Sequence, residues 1–363
     1  MKGFYLIIGA LLSLLSSCGN DVVWRIEGKI VNLENQTIYA VFESEGVNVM
    51  DTIFCDKPGQ FRLEQTRGDF QQVTLFFEDR TAWFTVYLEP KIKRIEVKGD
   101  IHYPDLLQAK GGHLNNELSS FRKKMEALLK EGTDIRKSIN VGTPSERNEL
   151  ISRLANVRHQ LDEYALAYIQ ANPDKPASVV LIKTYFTNPE DTRRLDELLI
   201  ILAPELKDFY LVNDLEQYSI RAKRTALGAE APGFTVKNIY GKTVGLDSFS
   251  QKYILLTFTA PWCDMCRPDD LCLDEIDKKY SKEHLEQLLI SLDDDMKGVR
   301  DILKKDSIHW NLVADSAGQA TMLVDLYNVS SLPRSFLIDE EGKIILKTEN
   351  GVEIKQALER LIK

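Results

Sequence analysis

The chain of 363 residues has no surplus of positive charge. Its 46 Lys and Arg face 55 Asp and Glu, a formal charge of −9, so the basic footprint of a nucleic-acid binder is missing. Cysteine is scarce: five residues are too few for a disulfide-built scaffold. With 20 glycines, 12 prolines and a hydrophobic share of 44%, the chain is neither collagen-like nor disordered. No apolar stretch reaches the roughly 20 residues that a membrane-spanning helix needs. A mean hydropathy of −0.24 excludes a multi-span membrane protein. His113 and His159 stand alone, without ligand spacing, so no metal site is expected; no organic cofactor is expected either.

What is present begins with an address. Residues 1–17, MKGFYLIIGALLSLLSS, join a positive Lys2 to an apolar run from Phe4 to Leu15, the pattern of a secretory signal peptide. The run ends in Leu15-Ser16-Ser17-Cys18, which resembles the lipobox of bacterial lipoproteins. Cleavage would make Cys18 a lipidated N-terminus, and several acyl chains hold where one does not. The expectation is a chain anchored to the inner or outer membrane of the cell envelope and facing the periplasm.

Three regions follow. Residues 22–110 alternate apolar and polar side chains in short runs, as in Trp24-Arg25-Ile26-Glu27-Gly28-Lys29-Ile30, with turn signals such as Asp56-Lys57-Pro58-Gly59. That pattern predicts an all-β, sandwich-like domain, whose function the sequence does not disclose. Residues 113–225 change to steps of three and four, through Leu114, Leu118, Phe121, Met125 and Leu128, and predict a helical region. Residues 228–363 alternate strands (Tyr253–Thr259, Leu285–Leu292, Ser335–Ile338, Lys343–Lys347) with helices such as Ala320–Tyr327 and Val352–Ile362, the order of an α/β layered domain. The chain is therefore expected to be multidomain.

The chemistry lies where the first of those strands ends. Thr259 runs into Ala260-Pro261-Trp262-Cys263-Asp264-Met265-Cys266. Two cysteines separated by two residues at a strand-to-helix junction form a dithiol. A helix N-terminus favours a thiolate on Cys263, and Cys266 can resolve a mixed disulfide from the same turn. Half a zinc site is the competing reading, but no second Cys or His pair completes four ligands. A peroxidatic cysteine does not fit either, because Ala260 stands where such a site needs a threonine. Cys272 follows Cys266 by six residues, roughly 9 Å along a helix, beyond the ~7 Å reach of a disulfide. It reads as a packing thiol, and a pairing with Cys55 is left open.

Together with Ala231-Pro232-Gly233-Phe234, Tyr240-Gly241-Lys242, Ser331-Leu332-Pro333 and Phe336-Leu337-Ile338-Asp339, this motif resembles the TlpA/ResA-like thiol-disulfide oxidoreductases. The resemblance covers residues 228–363 and implies a thioredoxin fold. It further implies that Cys263 attacks and Cys266 resolves, that Trp262 packs beside the disulfide, and that Pro333 is a cis-proline facing the cysteines. The backbone of Leu332 would then pair with a substrate strand, and Arg334, where the family often has a small residue, would bear on substrate choice. The buried acid that thioredoxin carries in the strand is Thr257 here. Asp269, three residues past Cys266, is either a proton carrier for that thiol or a solvated carboxylate. Asp264 between the cysteines should disfavour the thiolate and make the dithiol a reductant. The implied partners are disulfide-containing exported proteins and an unidentified thiol electron donor, with no nucleic acid. The alternative is a binding lipoprotein that uses the thioredoxin fold as a scaffold without catalysis.

Overall fold

The computed structural model describes residues 23–34, 37–44, 47–55, 57–66, 70–77, 80–139, 144–249, 251–260, 263, 266, 271–280, 282–292, 311–315 and 318–362. Two compact units divide the chain, Met1–Tyr168 and Ile169–Lys363.

Among the described residues the first unit has eight strands: β1 Val23–Val31, β2 Thr37–Ser44, β3 Val47–Phe54, β4 Gln60–Thr66, β5 Gln71–Phe77, β6 Ala82–Leu88, β7 Arg94–Asp100 and β8 Gln108–Lys110. They form two sheets, in the orders β4-β1-β7-β8 and β3-β2-β5-β6. Period-two alternation sends Trp24, Ile26 and Ile30 of the first sheet and Ile38, Ala40, Phe42, Val73 and Leu75 of the second into one shared core, which is the expected sandwich. The partner of β1 could not be read from alternation: β1 and β7 run parallel. Gly28 lies opposite Phe61 in the β1–β4 ladder, and a Cβ there would fall 1.8 Å from the Phe61 ring. Cys55 is buried in the same core.

Among the described residues three helices follow in this unit, α1 His113–Lys124, α2 Glu126–Ile139 and most of α3 Pro144–Ala171. Helix α1 closes an edge of each sheet. The buried Asn115 amide donates to the Tyr87 carbonyl (2.6 Å) and accepts from the Tyr87 N–H (3.0 Å) on edge strand β6. One helical turn on, the Ser119 hydroxyl donates to Ala109 O (2.8 Å) and accepts from Ala109 N–H (2.9 Å) on edge strand β8. Positions four apart share a helix face, so one face satisfies backbone groups that would otherwise be unpaired edges. The boundary between the compact units falls inside α3, so the helical stretch expected over 113–225 is shared between them.

The second unit continues with α4 Pro176–Tyr185, α5 Arg193–Ile201 and α6 Tyr210–Arg224, a short β9 Thr235–Lys237 and β10 Thr243–Gly245 ribbon, and then the α/β layer. That layer is a five-stranded sheet in the order β13-β12-β11-β14-β15, with β11 Tyr253–Thr259 at its centre. The others are β12 Leu285–Ser291, β13 Asn311–Ala314, β14 Arg334–Ile338 and β15 Ile344–Thr348. Strands β11, β12 and β13 are parallel, while β14 and β15 run antiparallel to their neighbours. Strand β11 is buried from Ile254 to Thr259 and apolar there except for Thr257 and Thr259, as suits a strand covered on both faces. Ile254, Leu256 and Phe258 pack with Leu323 and Tyr327, at and just after α8 (Gln319–Leu326). Leu255 packs with Ile276 of α7 (Leu273–Lys279) and with Ile354 and Leu358 of α9 (Gly351–Leu361). This is the α/β layering that the sequence pattern predicts, in the thioredoxin-like form that the family resemblance implies.

Candidate active site

The buried strand β11 delivers the chain to Ala260, 3% exposed, at the C-terminal edge of the sheet. There the chain turns tightly: Cys263 N–H donates to Ala260 O (3.1 Å) and Cys266 N–H to Cys263 O (3.0 Å). The Thr259 hydroxyl donates to the Cys266 carbonyl at 3.4 Å. Cys263 and Cys266 are joined as a disulfide with Cα atoms 5.3 Å apart. The pair is asymmetric: Cys263 is partly exposed, whereas Cys266 is buried at 8%. Trp262, Asp264 and Asp269, like Cys18, lie outside the described residues.

The second wall comes from the entry to β14. The Leu332–Pro333 peptide is cis, with Pro333 buried and Leu332 partly exposed. Arg334 pairs in register with Phe258 and Ser335 with Thr257, so this segment arrives at the strand end from which the cysteines depart. Beneath it, the buried Thr257 and Ser335 hydroxyls are hydrogen-bonded at 3.0 Å. A neutral hydroxyl pair therefore occupies the strand position where thioredoxin keeps an acid. Tyr327 backs the site. Wholly buried, it packs against Phe336 (5.2 Å between centroids) and Phe258 (5.8 Å), and its hydroxyl donates to Pro232 O at 2.8 Å. Burial pushes its hydroxyl pKa above the ordinary tyrosine value.

Arg334 is placed differently from a side chain held out toward a substrate. It is 16% exposed and ion-paired with Glu190, and it reaches Glu349 at 3.5 Å. Glu349 also accepts from the Ser331 hydroxyl at 2.5 Å. Glu190 lies in the turn between α4 and α5 and also pairs with Lys347 at 3.3 Å. Burial holds the Lys347 ammonium below the usual lysine value; Glu190 opposes that shift and Arg334 reinforces it. Sequence reasoning missed Glu190, which is 144 residues from its partner and reads in sequence only as part of a helix break.

Cys272 is a free, partly exposed thiol. It has a positive φ of 55° at the boundary of α7, so the right-handed helix begins after it rather than running through it. Among the described residues no His, Cys, Asp and Glu group is poised to hold a metal ion. What the site offers chemically is one two-electron couple, the Cys263–Cys266 dithiol and disulfide.

Part of the chain is similar to known proteins. A model of the AhpC/TSA family matches residues 227–347. The thiol-disulfide oxidoreductase ResA of Bacillus thuringiensis subsp. konkukian is 30% identical over 146 residues, which cover 40% of this chain and 82% of that protein. Among solved structures, a thiol-disulfide oxidoreductase from Bacteroides fragilis is 30% identical, covering 37% of this chain and 99% of that one, with a TM-score of 0.33. The thioredoxin domain of a thiol-disulfide oxidoreductase from Bacteroides vulgatus is 25% identical, covering 38% and 99%, with a TM-score of 0.36.

Proposed function

The chain belongs to the thiol-disulfide oxidoreductases of the ResA/TlpA-like class, and from that premise we propose that it is a lipid-anchored enzyme of the cell envelope that reduces disulfides in exported proteins. The observation that carries this reading is the asymmetric pair, a part-exposed Cys263 linked to a buried Cys266. In the reduced enzyme the Cys263 thiolate attacks one sulfur of a substrate disulfide. A mixed disulfide forms and one substrate thiolate leaves. Cys266, deprotonated, then attacks the Cys263 sulfur, closing the enzyme disulfide and releasing the second substrate thiolate. Two electrons pass to the substrate, whose two sulfurs take up two protons, and an external dithiol donor restores the enzyme.

The backbone of Leu332, beside Pro333, would hold the substrate segment by strand addition. Asp264 disfavours the Cys263 thiolate, which directs the couple toward reduction rather than oxidation. Asp269 is assigned as the proton carrier of Cys266, and Trp262 as the side chain that shapes the docking face. Among the described residues no helix is long and apolar enough to cross a membrane. Anchoring is assigned to lipidation at Cys18, with residues 1–17 as the signal peptide.

The test is a trap. Cys266→Ser in the anchored chain should accumulate mixed disulfides with exported proteins through Cys263, resolvable by dithiothreitol. The double variant Cys263→Ser, Cys266→Ser should accumulate none. Equal capture by the two variants would refute the assignment.

A further inference from the structure

Four charged side chains gather around the segment that enters β14. Arg334 and Lys347 supply two positive charges, and Glu190 and Glu349 two negative ones. They differ in reach. The Lys347 side chain is 3% exposed and that of Arg334 16%, while both carboxylate side chains are 45% exposed. A substrate lying along Leu332 would therefore meet carboxylate first and the cations only behind it.

The arrangement also brackets the docking backbone. Ser331 before the cis peptide is bonded to Glu349, and Arg334 after it to Glu190 and Glu349. Glu190 is presented by a fixed turn. Its N–H donates to the Asn188 side-chain oxygen at 2.9 Å, and the Asp191 N–H to the Asn188 carbonyl at 3.3 Å. Among the described residues Glu190 is the one carboxylate paired with Lys347, an ammonium too buried to lack a counter-ion cheaply.

We propose that Glu190 is the residue that sets the charge selectivity of the docking edge. By pairing with Arg334 and Lys347 it withdraws two cations from the substrate, and it presents a carboxylate in their place. The enzyme therefore favours cysteine-bearing segments with basic or neutral flanks over acidic ones. Removing the Glu190 charge leaves two cations against Glu349 alone, and the edge turns attractive to acidic segments. Removing the Arg334 charge leaves two carboxylates against Lys347, and the preference for basic flanks deepens. The inference rests on the reading that substrate docks beside Leu332 and Pro333.

Three synthetic peptides test it, sharing one disulfide and flanked by paired glutamates, lysines or serines. kcat/KM for each is measured with the full chain, with dithiothreitol as donor, and the serine peptide normalises the activity of each variant. Glu190→Gln should move the acidic-to-basic ratio up by about tenfold relative to wild type, the scale of one unit charge at a few ångströms from a docked segment. Arg334→Gln should move it down, Glu190→Asp should hold the wild-type order, and 0.5 M salt should shrink all the differences. Turnover of the serine peptide by wild type but not by Cys263→Ser supports the oxidoreductase reading by itself. If the charge ratio is then the same in wild type, Glu190→Gln and Arg334→Gln, the role of Glu190 is overturned. If no peptide is turned over in a Cys263-dependent way, the docking reading falls, and this inference with it.

Discussion

Removing one oxygen from Tyr327 should loosen the layer that carries the dithiol. The side chain is fully buried, and its ring touches Phe258 on β11 and Phe336 on β14, the strands that lead to Cys263 and away from Pro333. Tyr327→Phe keeps those ring contacts and deletes the 2.8 Å bond to Pro232 O. A neutral hydrogen bond contributes about 1 kcal/mol net, and a sealed orphan acceptor would add up to about 3 kcal/mol. Pro232 is only partly buried, so water can replace the hydroxyl and the cost should stay near 1 kcal/mol. Tyr327→Ala, which also empties the aromatic cluster, should cost about 4 kcal/mol. Because the chain divides into two units, a single unfolding midpoint is poorly defined, and hydrogen exchange read peptide by peptide is the suitable assay. Tyr327→Phe should lower protection about fivefold in peptides from β11 and β14 and leave β5 unchanged. Unchanged protection in β11 and β14 would mean that the hydroxyl bond anchors nothing, and an equal loss in β5 would refute the two-unit account.

Two further expectations concern the β-rich unit. Asn115→Ala strips the Tyr87 N–H and C=O of their partners at a buried edge and should cost about 3 kcal/mol, seen as lost amide protection in β6; a cost below 1 kcal/mol would mean that water substitutes for the amide. Glu89 accepts from the first N–H groups of α1, at 3.2 Å from His113 and 3.1 Å from Leu114, yet burial raises its carboxyl pKa above the usual 4.5. Its contribution should be fullest below pH 4.5 and be lost as pH rises through the raised folded-state value. The exchange protection of α1 should follow that direction and flatten in Glu89→Gln; a rise in protection over the same window would contradict it.

The legible parts of this fold are those that local pattern controls. Strand β11 occupies the expected residues, 253–259, because an apolar run buried on both faces and closed by a motif leaves little freedom in its bounds. Helices α8 and α9 lie within one residue of the spans that their apolar spacing predicts. The Cys263–Cys266 pair and the cis Leu332–Pro333 peptide stand where motif and resemblance put them. What could not be read are long-range choices: the parallel pairing of β1 with β7, the docking of α1 by Asn115 and Ser119, and the grip of Glu190 on Arg334. Ser119 meets Ala109 ten residues away, but the other pairings join groups far apart in the chain, and neither periodicity nor composition encodes which polar groups will meet. The left-handed backbone at Cys272 is a similar case, since a cysteine carries no turn signal.

The central claim is that Cys263 does the attacking, and disulfide reduction measures it most directly. Soluble chain lacking residues 1–18 should accelerate the reduction of insulin by dithiothreitol, and Cys263→Ser should return the rate to that of dithiothreitol alone. Equal rates for the wild-type and Cys263→Ser proteins would contradict the account.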